Sequence, residues 1–404
     1  MTQKSSDDWF STPDVIVIGA GIIGASCAYH SIRAGLSVLV LDRSGVASGT
    51  SGAGEGNILV SDKPPGAELD LALLSARRWS ELADELHAED PTTDIEFDAK
   101  GGLVVAPDER SLAALHQQAD AQRSAGVTAQ PLTTAEVATH EPNLTPQIAG
   151  GVRYPQDAQT QPMLATAQLL RSARRHGARI RLGTTVTGLL RGSSGRITGV
   201  RTDRGDLFAG AVVNAAGPWA GQIATLADSP LPIEPRRGFV LVTEPLPRMI
   251  RHKVYAASYV AAVASDQAAL AVSPVIEGTR SGTVLIGSSR ERVGFDRTVS
   301  PDVLGVLARN AISLFPFLRD VAALRTYVGF RPLCTDHLPV LGPDPRAPGL
   351  LHACGHEGAG VGLAAGTGTL IAEALTGTEP SLDMAPFHAG RFVGSQGVNR
   401  EVQP

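Results

Sequence analysis

The residues Gly19-Ala20-Gly21-Ile22-Ile23-Gly24, with Asp42 beyond them, are the ones whose types and spacing most directly specify chemistry. Glycines at this spacing permit a tight turn, a backbone approach to a pyrophosphate with no Cβ in the way, and close packing of a helix on a sheet. The pyrophosphate would rest on the unsatisfied N–H groups and positive dipole end of that helix. Asp42 follows Gly19 by 23 positions. That spacing suits a carboxylate hydrogen-bonding the ribose hydroxyls of adenosine. An acid there argues against a 2′-phosphate but does not separate NAD from FAD. The next segment, RSGVASGTSGAGEGN at 43–57, is dominated by small residues. Such a loop can hug a flat ligand and offer it backbone N–H donors; read blandly, it is a linker.

These residues need elements to hold them. Val15–Ile18 is a short β-branched run that reads as a strand buried on both faces. Ser26–Arg33 reads as a helix and Leu36–Leu41 as a second buried strand. Further helices are expected at 69–87, 109–125, 163–176, 301–315 and 361–376, and a capped helix start at 133–137. Short strands with turns at 192–195 and 203–205 fill 180–209, and residues 211–219 read as a buried strand entering a small-residue turn. Residues 231–288 alternate as β-structure. Nucleotide-type elements at both ends with a β-rich block between imply two interleaved domains. The expected division is 12–85, 145–222 and 326–380 for a cofactor-binding domain, 86–144 and 223–325 for a substrate domain, and tails at 1–11 and 385–404.

Composition sets the bounds. The chain has 404 residues and a net charge of −5, with 43% hydrophobic and 19% charged residues. Nothing in that balance points to nucleic acid or a basic membrane-binding surface. Cys27, Cys334 and Cys354 are odd in number and lack CxxC spacing, so neither a disulfide framework nor a metal site is expected. The polar, acidic start is unlike a signal peptide, and no stretch is expected to reach the ~20 apolar residues of a membrane span. A cytoplasmic setting follows as an expectation.

Four motifs then occur in a familiar order: GAGIIG with Asp42, NAAGPW at 214–219, GFRP at 329–332 with DHLP at 336–339, and GHEGAGVGLAAGTG at 355–368. Together they resemble the flavoprotein family of D-amino-acid oxidase, glycine oxidase and sarcosine oxidase, over nearly the whole chain. Arg236-Arg237-Gly238, Val242-Thr243-Glu244, Gly287–Glu291, Gly294-Phe295-Asp296 and the terminal GHEG look most like β subunits of heteromeric dehydrogenases acting on D-hydroxyproline, proline or opines. The resemblance implies a Rossmann-like α/β FAD-binding domain interleaved with a β-sheet-rich α+β substrate domain.

The resemblance also selects FAD over NAD. It places Gly19, Gly21, Ile22, Ile23, Gly24, Asp42 and Arg43 on the dinucleotide. Ser48, Thr50, Ser51, Gly54 and Asn57 follow from the glycine-rich loop, then Val186, Ala215, Ala216, Gly217 and Trp219. At the C-terminal end are Gly355, His356, Glu357, Gly358, Gly360, Val361 and Gly362. A helix starting near Val361 would aim its N–H groups at the N1–C2=O edge of the isoalloxazine, which becomes negative on reduction. Arg331 is implied as the partner of a substrate carboxylate, holding a Cα–H over flavin N5; a surface arginine or an internal ion pair with Asp336 is the alternative. Tyr255 and Tyr259, four apart on one strand face, are candidates to cover the substrate or to pack the core. His356 would bond the flavin edge or cap a helix.

Two departures shape the expected activity. Where glycine oxidases carry an arginine, this chain has Glu357-Gly358-Ala359, and no lysine lies in 268–274, where sarcosine oxidases activate oxygen. Cys334 does not align with a flavin tether, so non-covalent FAD is expected. The reading is therefore an FAD-dependent dehydrogenase. It would oxidise the C–N bond of a D-amino, imino or N-substituted amino acid with a carboxylate, by hydride transfer to flavin N5. Electrons would pass to a quinone or to a partner subunit carrying a flavin or iron–sulfur centre. The alternatives are a free-standing oxidase releasing peroxide and a non-catalytic electron-relay subunit.

Overall fold

The computed structural model describes residues 12–258 and 270–392. Tyr259 lies outside the described residues.

The first strand, Val15–Ile18, is wholly buried, and so is Val38–Leu41 beside it. Both belong to a six-stranded sheet in the order 340–343, 350–354, 211–214, 15–18, 38–41, 179–181. All neighbours in it are parallel except the 340–343/350–354 pair. A sheet of β-branched strands buried on both faces must be covered on both. Here Ile22–Arg33, Ala67–Glu89, Pro162–Arg175 and Gly360–Thr376 cover the face of Val15 and Val17, with Trp79 fully buried among them, and the antiparallel strands 186–191, 197–202 and 205–208 pack on the face of Ile16 and Ile18. The helix after the glycine turn starts at Ile22, a turn earlier than the expected Ser26.

A second sheet of eight strands runs in the order 323–334, 233–243, 284–291, 270–278, 253–256, 102–106, 150–154, 130–133. Helix Pro301–Leu314 covers it, burying Val303, Leu307 and Ala311. Strands Gly150–Tyr154 and Ala323–Cys334 belong to this sheet, so the chain crosses between sheets inside the segments 145–222 and 326–380. Strand Ala323–Cys334 contains Gly329 and Pro332 and has no strand-like sequence signature. It forms because it lies at the sheet's edge, where a missing ladder N–H is tolerated, and because it pairs along its whole length with Ile233–Thr243. The helix at 134–140 carries a full capping box, with Thr133 and Glu136 bonding each other's backbone N–H.

The expectation of no membrane-length apolar segment needs correction. Glu357–Thr376 spans 20 residues at a mean hydropathy of 1.2, enough by length and composition. It is a core helix here, pressed between the helices 22–33 and 67–89. A Cβ on Gly366 would stand 3.1 Å from Ser75 Cβ, and one on Gly368 only 2.6 Å from His30 Nδ1. The three cysteines are buried and unpaired. Among the described residues no cluster of potential metal ligands occurs.

Candidate active site

The parallel strands end at a cavity of about 450 Å³. Gly19 turns the chain there with φ +114°, and a Cβ on it would stand 3.0 Å from the carbonyl carbon of Ala215. Gly24 does not line the cavity. A Cβ there would meet the Gly19 carbonyl carbon at 2.9 Å, so this glycine sets the closeness of helix to turn. The helix N-terminus has no side-chain cap. Its first N–H, on Ile22, donates to Ser51 Oγ at 2.9 Å, which leaves the Ser51 hydroxyl proton to donate elsewhere. Asp42 lines the same cavity. Its Oδ2 accepts from Ala20 N at 2.8 Å and its Oδ1 from Ser44 N at 2.7 Å, so the carboxylate is pinned at the strand end.

The second helix, Gly360–Thr376, also begins at this cavity without a side-chain cap. Fully buried Trp79 donates to Val361 O at 2.9 Å, and Ser75 Oγ donates to Gly362 O at 2.6 Å. Gly362 itself packs on the backbone of Asn57 and Ile58 rather than lining the cavity. Gly355, at φ +77°, packs against Ile233 and Cys334. These two and Gly24 are therefore packing glycines. The other positions expected against the cofactor, from Gly19 and Gly21 through Arg43, Ser48, Thr50, Ser51, Gly54, Asn57, Val186, Ala215, Ala216, Gly217 and Trp219 to His356, Glu357, Gly358, Gly360 and Val361, all line the cavity. At its mouth the Arg43 guanidinium lies 3.9 Å over the Trp219 ring, which stacks on Phe295 at 5.1 Å.

Another wall of the cavity comes from the second sheet. Arg331 lines the cavity, and its Nη1 donates to Ser289 O at 2.8 Å. Its side chain passes between two glycines. A Cβ on Gly238 would stand 2.9 Å from Arg331 Cζ, and one on Gly358 would stand 3.4 Å from Arg331 Nε. The alternative pairing with Asp336 does not occur, because Asp336 bonds Arg391 at 2.6 Å. Beneath Arg331 the fully buried Arg236 donates to Glu357 Oε1 at 2.6 Å, and His337 Nδ1 lies 3.0 Å from Oε2. Burial alone would raise the Glu357 pKa. The His337 hydrogen bond and the charges of Arg290 and Arg236 outweigh it and bring Glu357 down to about 2. Glu357 is thus an ionised structural partner of Arg236, not a base.

Two proposed catalytic residues are placed differently. Tyr255 is fully buried in the apolar core, and its hydroxyl bonds Ser61 beside Asp157; it does not line the cavity. The strand-face pattern was right for a buried position but could not say which core the face met. His356 lines the cavity, yet its Nε2 bonds Thr367 at 3.0 Å, and desolvation lowers its pKa to about 3. It is a neutral ring that ties the loop to its own helix.

Several lining residues lay outside the sequence motifs: Glu55, Thr184, Gln222, Gly238, Val240 and Arg297. Of these, Glu55 lies within the glycine loop and Gly238 within the Arg-Arg-Gly run, but neither was singled out as a site residue. No lysine lines the cavity among the described residues. Lys253, buried on strand Lys253–Ala256, reaches its wall only through Asn57, and also bonds Glu277 at 3.1 Å.

The residues present fit an FAD. The cavity joins two uncapped helix N-termini, a carboxylate at the second strand end and a glycine cradle that side chains would fill. Gly217 at φ +56° has nothing within 4 Å of where its Cβ would be, so its backbone is open to the cavity. A parallel sheet carrying this turn, with a guanidinium facing it from a separate sheet, defines a dinucleotide-binding oxidoreductase. The chain belongs to the FAD dependent oxidoreductase family, whose model matches residues 14–374. It is 32% identical to the hydrogen cyanide synthase subunit HcnC of Pseudomonas aeruginosa, over 94% of this chain and 96% of that one. The crystal structure of glycine oxidase from Geobacillus kaustophilus superposes with a TM-score of 0.85 at 27% identity, covering 94% and 99%. That of iminodiacetate oxidase from Chelativorans sp. BNC1 gives 0.80 at 25%, covering 93% and 98%. The protein is an FAD-dependent oxidoreductase acting on amino acids.

Proposed function

We propose that this chain is the catalytic subunit of an FAD-dependent dehydrogenase that oxidises the C–N bond of an imino, D-amino or N-substituted amino acid. The observation that carries this reading is the Arg331 side chain, seated between Gly238 and Gly358 on the cavity wall. A planar guanidinium held by Ser289 O can take a substrate carboxylate in a forked, charge-assisted contact. That contact fixes the Cα–H in one place, and positioning is most of what such an oxidation asks of the protein. FAD, when bound, supplies the two-electron acceptor. Arg236 and His337 hold Glu357 ionised, which keeps the loop 355–360 rigid beside Arg331.

Glycine and iminodiacetate, for which two of these relatives are named, both carry a small amine beside a carboxylate, and iminodiacetate is a secondary amine. An acceptor other than oxygen, a quinone or partner subunit, is favoured by the lack of a lining lysine and by a relative that is itself named as a subunit. Non-covalent FAD is favoured because Cys334 does not line the cavity, and burial raises the Cys354 thiol above its usual range. The test is anaerobic bleaching of bound flavin by proline, hydroxyproline, sarcosine, opines and D-amino acids. One of them should bleach the wild type and not Arg331→Ala. Stoichiometric peroxide in air would favour the oxidase reading, and no bleaching by any of them would overturn the proposal.

A further inference from the structure

Among the described carboxylates of the cavity wall, Asp42 and Glu357 are each held by strong donors and Glu55 is not. It is only 8% exposed, yet it lines the cavity. Its Oε1 has no hydrogen-bond donor, and its Oε2 has only Asn57 Nδ2 at 3.4 Å. Among the described residues no cation lies within ion-pair distance of it. The nearby Lys253 is bonded to Glu277 and Asn57 instead, and Lys100 donates to Gln159 and to Gly278 O. A buried carboxylate with an unused oxygen carries a desolvation penalty unless something supplies a donor, best a charged one.

The location says what that donor should be. Glu55 packs against Gly287, where a Cβ would stand 2.8 Å from Glu55 Cδ. Two residues further along the same strand, Ser289 O holds Arg331. One strand therefore anchors a guanidinium and an unsatisfied carboxylate on a single cavity. We propose that Glu55 recognises the cationic nitrogen of the substrate, so that the site selects dipolar amino acids over hydroxy acids of the same shape. The proposal rests on Arg331 holding the carboxylate, and it specifies the other half of the ligand. It also explains why the loop that hugs the cofactor carries a carboxylate among its small residues.

The test uses the FAD-loaded protein and two ligands without a Cα hydrogen, 2-aminoisobutyrate and 2-hydroxyisobutyrate. Neither can reduce the flavin, so calorimetry and perturbation of the flavin spectrum read binding alone. The wild type should bind the amino compound about ten- to a hundredfold more tightly, the range of a charge-assisted hydrogen bond. Glu55→Gln should lose that preference with unchanged FAD content and melting temperature, and Glu55→Asp should recover part of it. Wild type that binds the amino compound no better, or Glu55→Gln that keeps the preference, overturns the proposal. So does a Glu55→Gln protein altered only in FAD affinity, which would assign the carboxylate to the cofactor. Absence of any anaerobic bleaching of the wild type would instead defeat the dehydrogenase reading and leave this binding preference standing on its own measurement.

Discussion

Replacing Gly238 with alanine tests the Arg331 seat without touching its charge. The added Cβ would stand 2.6 Å from Ser289 O and 2.9 Å from Arg331 Cζ. Carbon atoms settle at separations of ~3.5–4.0 Å, so the guanidinium must move by about 1 Å or the two strands must part. Swinging the guanidinium breaks its 2.8 Å bond to Ser289 O, while parting the strands breaks the ladder between Ile233–Thr243 and Val284–Glu291. Overpacking of this kind costs about 1–3 kcal/mol, and a misplacement near 1 Å in a positioning group can lower the rate about a hundredfold. The assay is anaerobic stopped-flow reduction of the bound flavin by whichever amino acid bleaches the wild type. The half-saturating concentration should rise at least about tenfold, the factor that 1.4 kcal/mol represents. Flavin content should hold, because the dinucleotide motifs lie on the other sheet. Gly45→Ala serves as a control, since its Cβ would find only Ser48 Cβ, at 4.0 Å. A Gly238→Ala protein with the wild-type saturation curve would refute the claim that this seat aims the guanidinium.

Two further perturbations probe the scaffold. Gly24→Ala puts a Cβ against immovable backbone, 2.9 Å from the Gly19 carbonyl carbon, and should prevent flavin retention; Gly21→Ala, 3.2 Å from Ser51 Oγ, should only weaken it, as read by absorbance of the purified proteins. Burial raises the Asp157 carboxyl from 3.8 to about 7, against the hydrogen bonds it accepts from Ser61 and Val60. Between about pH 4 and 7 the folded state keeps a proton that the unfolded state has lost, so this group's contribution to stability declines as pH rises through that window. Asp157→Asn should flatten the fall, visible as a smaller drop in melting temperature between pH 4.5 and 7.5.

The fold was readable where a short segment carries its own periodicity or its own steric demand. Val15–Ile18 announces a buried strand, and Gly19 and Gly21 announce a backbone-lined site, because each is a local requirement. Thr133 and Glu136 likewise announced their cap. Strand Ala323–Cys334 was not readable, because its β-conformation is imposed by the partner at 233–243 and not by its own residues. The choice at Tyr255 between covering a substrate and packing the core stayed open for the same reason. A residue's face follows from its neighbours in sequence, but what that face meets depends on chain returning from more than a hundred positions away.

The seam between the sheets is where geometry for the reaction is decided. The glycine turns and both helix N-termini belong to one sheet and fix the cofactor's place, whereas Arg331 belongs to the other. The two are locked at a few points. Ala53 Cβ comes within 2.7 Å of where a Gly329 side chain would start, and Thr50 Oγ1 donates to Phe330 O at 2.5 Å, one residue before Arg331. The loop 43–57 thus lies against the cofactor cavity with one side and sets the height of the arginine strand with the other. Glu55 sits on that same loop. A change in this segment therefore moves the guanidinium, the carboxylate and the cofactor surface relative to one another at once. That makes residues 50–55, and not the arginine alone, the place where substrate preference and flavin binding are coupled.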